Sequence, residues 1–311
     1  MSIRLLALDL DGTLLNSRGE LSVRNIDAIG AARSAGVRVA LVTGRRFRDA
    51  RPLALELGID VPVISHNGAL TKHARTLETV SLSLLPLDAA HEVLRIGREN
   101  NADALVSDDP HGAGLLVYDH VSDDNVAVAR YIAWSRRIHG DEAEESVRQV
   151  PDLSDYLDHP PIHLTFSGNV ERITALKASI EDELGTRVKA LSTVYPKMDF
   201  ALLDVLHPKV SKGTGVAAVA KEDGASRDEV MAVGDNFNDL EMLRFAGTRV
   251  LMGNAQAALS ELLQDLGVHR LKATNDEDGV AVAIEQFILS QDSELRTPDS
   301  EQRHFILSPE S

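Results

Sequence analysis

The chain has 311 residues, a length that fits two domains at a prior of roughly 150 residues each. Hydrophobic residues make up 43% and charged residues 26%, enough for a sizeable core, and no apolar run reaches the roughly 18 residues that a membrane span needs. There is no cysteine, which excludes disulfides, thiolate metal sites and cysteine nucleophiles, and the formal net charge of -16 argues against a broad nucleic-acid surface.

The chain opens MSIRLLALDLDG, an apolar run too short and too soon acidic for a signal peptide, so a cytoplasmic location is expected. Residues 3–10 are almost continuously apolar, the pattern of a strand buried on both faces. Ser22 can cap a helix reaching about residue 35, and Gly36 fits its stop. Residues 37–42 read as a second buried strand and 47–57 as a helix with Pro52 in its first half. Residues 63–65 read as a third strand, and Asn67-Gly68 suits a hairpin turn. This alternation predicts parallel strands with crossover helices, and ligands beyond the C-terminal strand ends.

Residues 83–201 read differently. Amphipathic helices at 88–100 and 169–184 and short strands near 104–106, 115–118, 162–166 and 198–203 suggest an α+β unit inserted into the first domain. Residues 139–161 are acidic with three prolines and read as a surface connection. Strand–helix alternation then returns, with helices at 212–221, 239–245, 255–263 and 280–289 and strands at 230–233 and 248–251. From about residue 292 the chain is polar and reads as a tail.

Four short stretches carry chemistry. Asp9-Leu10-Asp11-Gly12-Thr13 ends the first strand, where residues two apart share a side. Asp9 and Asp11 would repel each other there, and a divalent cation on one with a proton on the other would relieve this. Val42-Thr43-Gly44-Arg45 ends the second strand with a hydroxyl, a flexible backbone and a guanidinium, which suit phosphate oxygens. Ser211-Lys212-Gly213 places a cation beside the free N–H groups of a helix start, an arrangement that binds anions. Gly234-Asp235-Asn236-Phe237-Asn238-Asp239 gathers oxygen ligands of the kind magnesium prefers, although helix capping accounts for part of it. Taken singly, each stretch has a bland reading as a polar turn, a surface lysine or a cap.

Together, and in this order, they resemble the haloacid dehalogenase-like (HAD) hydrolase superfamily, more closely its Cof-type subfamily with a C2-class cap. The matching stretches are LLALDLDGTLLNS, VTGR, SHNGAL, VSKGTGV, AVGDNFNDLEML and ATNDEDGVAVAI, spanning residues 5 to about 284. The resemblance implies an α/β fold: a Rossmann-like parallel-sheet core of residues 1–82 and 202–290 and an inserted α+β cap at 83–201, while the polar composition marks 291–311 as a flexible tail. It implies a Mg2+-dependent phosphatase acting on a small phosphorylated metabolite, as a monomer or homodimer, and the acidic charge and the lack of a long apolar run lead to the expectation of no nucleic-acid or membrane partner.

By the same resemblance Asp9 is the nucleophile that forms an aspartyl-phosphate, and Asp11 is the acid and then the base. Thr43 and Lys212 hold the phosphoryl group, while Gly44, Arg45, Asn67 and Asn238 complete the substrate site. The metal group is Asp9, Asp11 (through its backbone carbonyl) and Asp235, with Asp239 and Asn238 supporting the metal and Lys212. The cap would choose the substrate. Within it, His111 lies in a loop that could face the site, and His163 and Tyr118 lie in strands. Before Lys212, Leu206-His207-Pro208-Lys209 departs from the family, whose members often carry a glycine there, and reads as a rigid surface turn. Two other readings are a phosphomutase and a non-catalytic phosphate-binding regulator. The presence of Asp9, Asp11, Lys212 and Asp235 together speaks against the regulator. A dinucleotide-binding fold lacks its G-x-G-x-x-G after the first strand.

Overall fold

In chain order the strands are β1 (Leu5–Asp9), β2 (Arg38–Val42), β3 (Val63–Ser65), β4 (Leu70–Lys72), β5 (Thr79–Leu82), β6 (Asp103–Asp108), β7 (Leu115–Tyr118), β8 (Val147–Gln149), β9 (His163–Gly168), β10 (Lys189–Tyr195), β11 (Phe200–Leu206), β12 (Val230–Gly234), β13 (Thr248–Leu251) and β14 (His269–Arg270). They belong to a computed structural model that describes residues 2–290 except 60, 141–142 and 196–197. The tail expected at 291–311 lies outside the described residues.

Eight strands form one sheet in the order β14-β13-β12-β1-β2-β3-β4-β5. β1 pairs in parallel with β2 on one side and with β12 on the other. All five of its residues are buried, which is why it carries an unbroken apolar run up to Asp9. The chain leaves β1 toward β2 and returns much later at β12. The crevice beyond the ends of β1 and β12 is therefore a topological switch point, where open α/β sheets bind ligands. Ser22 caps the helix Val23–Ser34 by accepting from Asn25 N–H, as its position foretold. This is the α/β, Rossmann-like core that the sequence predicts.

The remaining six strands form a second sheet, β10-β11-β9-β6-β7-β8, antiparallel except where β7 meets β8. Helices Leu87–Glu99 and Val170–Leu184 pack on one face around Val106, Phe166, Ile173 and Leu203. Part of the other face is covered by helix Val126–His139, through Val128 and Ile132 against Leu105 and Tyr118. In β11, Ala201, Leu203 and Val205 are buried, while Phe200, Leu202 and Asp204 alternate on the opposite face. The junction expected between residues 201 and 202 falls inside β11, which stays in the second sheet to Leu206.

The stretch 139–161 is more than a surface connection. It holds β8 and the short helix Leu153–Tyr156, because Val147, Leu153 and Leu157 find buried places among the acidic residues and prolines. The core grips the insertion with buried cations. Lys72 Nζ donates to the carbonyls of Pro110 (2.8 Å) and Gly112 (2.6 Å), and Arg48 Nε donates to Gly114 O at 2.7 Å. No helix among the described residues is long and apolar enough to cross a membrane.

Candidate active site

Asp9 is the last residue of β1, and the chain turns immediately beyond it. Gly12 has φ +88°, and a Cβ there would stand 2.5 Å from Asp235 Oδ2. Glycine thus serves both the turn and the approach of the loop after β12. Thr13 Oγ1 then donates to Asp235 Oδ1 at 2.8 Å. Lys212 opens the helix Lys212–Glu222, whose N-cap Ser211 forms a capping box with Thr214. Its Nζ is buried and donates to Asp9 Oδ1 at 2.5 Å and to Asp239 Oδ1 at 2.6 Å. The other Asp239 oxygen accepts from the backbone N–H groups of Asp235 (2.9 Å) and Asn236 (3.0 Å).

Asp9, Asp235 and Asp239 each offer an oxygen within 4.8 Å of the others. Burial, then the Asp239 charge, pushes the Asp9 carboxyl well above its ordinary range, against the pull of Lys212. Burial and Asp239 likewise push Asp235 up to about 6. Burial alone would lower the Lys212 pKa, but Asp239 and Asp9 outweigh it and hold the ammonium charged. With all three carboxylates ionised, one ammonium would leave two negative charges uncompensated, the deficit that a divalent cation would fill.

Asp11 goes elsewhere. Arg45 grips it with two parallel bonds, Nε to Oδ2 at 2.9 Å and Nη2 to Oδ1 at 2.5 Å. Its side chain is 54% exposed and lies outside the three-acid group. The Asp11 side chain is therefore not among the carboxylates grouped closely enough to share a metal, and Arg45 balances its charge instead. Arg45, expected at the substrate, is itself occupied by Asp11.

Thr43 is buried just past β2, and its Oγ1 accepts from Arg45 N–H at 3.1 Å. Its carbonyl accepts from Asn67 N–H at 3.0 Å. Asn67 has φ +53° in the link between β3 and β4, a left-handed conformation that asparagine tolerates. Its Oδ1 accepts from Asn238 Nδ2 at 3.1 Å, and its Nδ2 donates to Asp204 Oδ2 at 3.0 Å. Gly44 leaves room for this amide, since a Cβ there would lie 3.1 Å from Asn67 Oδ1.

Two residues of this network were not singled out as site residues from sequence. Thr13 stands in the first motif, two positions past Asp11. Asp204 is a lone acid in the apolar strand Phe200–Leu206, and that break in the pattern was the available signal. Beside Asp204 on the same sheet face, Phe200 stacks on Tyr195 with centroids 5.9 Å apart, and burial followed by the Asp11 and Asp204 charges raises the Tyr195 phenol pKa. His111 does not join the acids. It lines a separate cleft of about 900 Å³ with Arg48, Arg51, Asp108 and His159. Tyr118 is packed beneath helix Val126–His139, His163 is buried, and His207 Nδ1 accepts from Lys209 N–H in a tight turn.

A buried lysine between two acids, a third acid from the neighbouring strand end and a threonine past β2, all at the switch point of a parallel sheet with an α+β insertion, define a class. A family model for haloacid dehalogenase-like hydrolases matches residues 6–284, and the chain belongs to that family. Stress response protein YhaX of Bacillus subtilis (strain 168) is 30% identical over 295 residues, covering 94% of this chain and 95% of that protein. Pyridoxal phosphate phosphatase YbhA of Escherichia coli (strain K12) is 30% identical over 264 residues, covering 83% and 91%. The crystal structure of a haloacid dehalogenase-like hydrolase from Bacteroides thetaiotaomicron matches with a TM-score of 0.74 at 26% identity, over 91% of this chain and 99% of that one. The chain is an enzyme of the phosphatase type within this family.

Proposed function

We propose that the protein is a magnesium-dependent phosphatase that hydrolyses small phosphorylated metabolites through an aspartyl-phosphate on Asp9. The observation that carries this reading is the placement of Asp9 at the end of the central strand, in contact with Lys212 and beside Asp235. Asp9 attacks phosphorus, while Thr43 and Lys212 hold the transferring group. Lys212 keeps its charge throughout, because Asp239 stays bonded to it. Asp11, released from the Arg45 pair and protonated, gives its proton to the leaving oxygen and later takes one from water. Asp9, Asp235 and the backbone carbonyl of Asp11 would hold the ion. Asp239 supports them, its oxygens being engaged by Lys212 and two amides. Magnesium, when bound, offsets charge on the phosphate and the nucleophile. Residues 1–82 and 207–290 form the catalytic core, and 83–206 form a cap that selects the substrate. Phosphate release from a panel of phosphorylated metabolites, with magnesium and with chelator, tests the reading. Turnover of at least one that chelator abolishes is expected, and release from none would overturn it.

The acids make the ion's effect depend on pH. Burial and the Asp239 charge push the folded Asp235 carboxyl up to about 6, above the 3.8 of the ordinary group. The native state therefore holds more protons than the unfolded chain between those values, and metal-free stability falls as pH rises through that window. Magnesium competes with the same protons. Thermal denaturation should show a small magnesium-induced rise at about pH 5 and a full one above about pH 7, near 2.7 kcal/mol at about 100 times the dissociation constant. A rise that is the same at every pH would contradict a site built on these carboxylates.

Asp11→Asn separates the acid from the nucleophile. A sugar alkoxide must be protonated as it leaves, whereas a nitrophenolate need not be. The loss in kcat/KM should be about 10² to 10⁴ for an alkyl phosphate and clearly smaller for nitrophenyl phosphate. Equal losses would return Asp11 to a purely structural role with Arg45.

A further inference from the structure

Two series of hydrogen bonds converge on Asp204 from opposite sides. On one side Phe47 N–H donates to His66 Nε2 at 3.1 Å, and His66 Nδ1 faces His163 Nδ1 at 3.1 Å. His163 Nε2 meets Thr165 Oγ1 at 2.8 Å, and Thr165 Oγ1 donates to Asp204 Oδ1 at 2.8 Å. On the other side Asn238 Nδ2 donates to Asn67 Oδ1, and Asn67 Nδ2 donates to Asp204 Oδ2.

The ends fix the direction of every bond between them. A backbone N–H only donates, so His66 Nε2 carries no proton and its Nδ1 does. That proton points at His163 Nδ1, which must accept, so the His163 proton sits on Nε2 and goes to Thr165. A carboxylate only accepts, and this forces the same polarity from the far end. It also forces the Asn67 amide to turn its NH2 toward Asp204 and its oxygen toward Asn238. Both imidazoles are buried, and desolvation, the largest influence on each, lowers their pKa, in keeping with the neutral rings that the chain of bonds requires. Neither ring can take a second proton without losing one of these bonds.

Asn238 lies in the loop that carries Asp235 and Asp239, and Asn67 holds the Thr43 carbonyl. Thr165 and Asp204 sit opposite each other on β9 and β11 of the second sheet. We propose that Asp204 is a positioning residue for the catalytic loops: it sets the amides of Asn67 and Asn238, and is itself aligned through Thr165, His163 and His66. Seating of the second sheet and alignment of the metal-loop amide are then one event. This rests on the catalytic reading of the Asp9 and Asp235 site given above.

Thr165→Val keeps the shape and removes the hydroxyl, whereas Thr165→Ser keeps it. Because each substitution removes or weakens a hydrogen bond to a charged group, Thr165→Val and Asp204→Asn should each lower kcat about tenfold or more and weaken magnesium binding, measured by titration without substrate. Thr165→Ser should restore both to within about twofold. Nitrogen-15 spectra of labelled histidines in the metal-free protein should show His66 protonated on Nδ1 and His163 on Nε2, both neutral near pH 7. Both rings protonated on Nε2, or either doubly protonated, would overturn the chain of bonds. Unchanged kcat and magnesium affinity in Thr165→Val and Asp204→Asn would overturn the positioning role while the wild type still releases phosphate. A wild type that releases none would instead remove the catalytic reading, and the spectra would then report on the hydrogen bonds alone.

Discussion

Asp9→Asn is expected to fold normally and to release phosphate at the background rate, a loss of about 10⁴-fold or more. The substitution removes the attacking anion and one of the two carboxylates assigned to the ion. It keeps the shape of a side chain buried at the end of the central strand. Stability should not suffer, because the buried carboxylate is disfavoured where it stands. Its pKa is raised by burial and by Asp239, so the fold disfavours its charge, and Lys212 keeps Asp239 as a partner when that charge is removed. The metal-free variant should therefore melt at or above the wild-type temperature near pH 7, with an unchanged circular dichroism spectrum. Incubation with labelled substrate should leave no acid-stable phosphate on the protein. Activity within tenfold of wild type in a folded variant would refute covalent catalysis by Asp9.

Lys212→Met should do the opposite to stability and the same to activity. The straight side chain fills the space, but Asp9 and Asp239 lose the ammonium that both contact. Removing one partner of a buried ionic group costs about 3–5 kcal/mol, because the remaining charges stay out of water. At roughly 2–4 °C per kcal/mol the melting temperature should fall by about 6–20 °C near pH 7. Acid should shrink the deficit, since protonating Asp9 removes one of the repelling charges. Turnover should drop for every substrate alike, because each presents the same phosphoryl group. A variant that melts with wild type, or that loses activity on only some substrates, would show that Lys212 is not the shared cation of the site.

Much of the core was legible because it is written locally. β1, β2 and β12 are short apolar runs with a polar residue at or just past their C-terminal ends, and a strand buried on both faces permits little else. The nearness of Asp9, Lys212 and Asp235 was inferred from likeness and from the rule for strand ends. What stayed hidden depends on partners far apart in the chain. Nothing in the spacing says that Arg45 will take Asp11, that Asp204 will hold Asn67 from 137 positions away, or that His66 and His163 will face each other. β10 was missed because Lys189–Tyr195 is mostly half-exposed and lacks a clean alternation. Helix Val126–His139 was missed because it follows an irregular acidic stretch and carries a tryptophan outward.

The central place of β1 also has a cost during synthesis. Its partner on one side, β12, begins at residue 230, so at a ribosomal rate of roughly 5–20 residues per second that side stays open for about 10–45 s. Until then the nascent sheet offers an unpaired apolar edge, the kind that invites pairing with another chain. Lys212 and Asp235 emerge only after the intervening insertion has left the tunnel. Asp9 therefore spends this interval without its ammonium partner, hydrated and charged, and its charge blunts the end of an otherwise sticky strand until the second half of the sheet arrives.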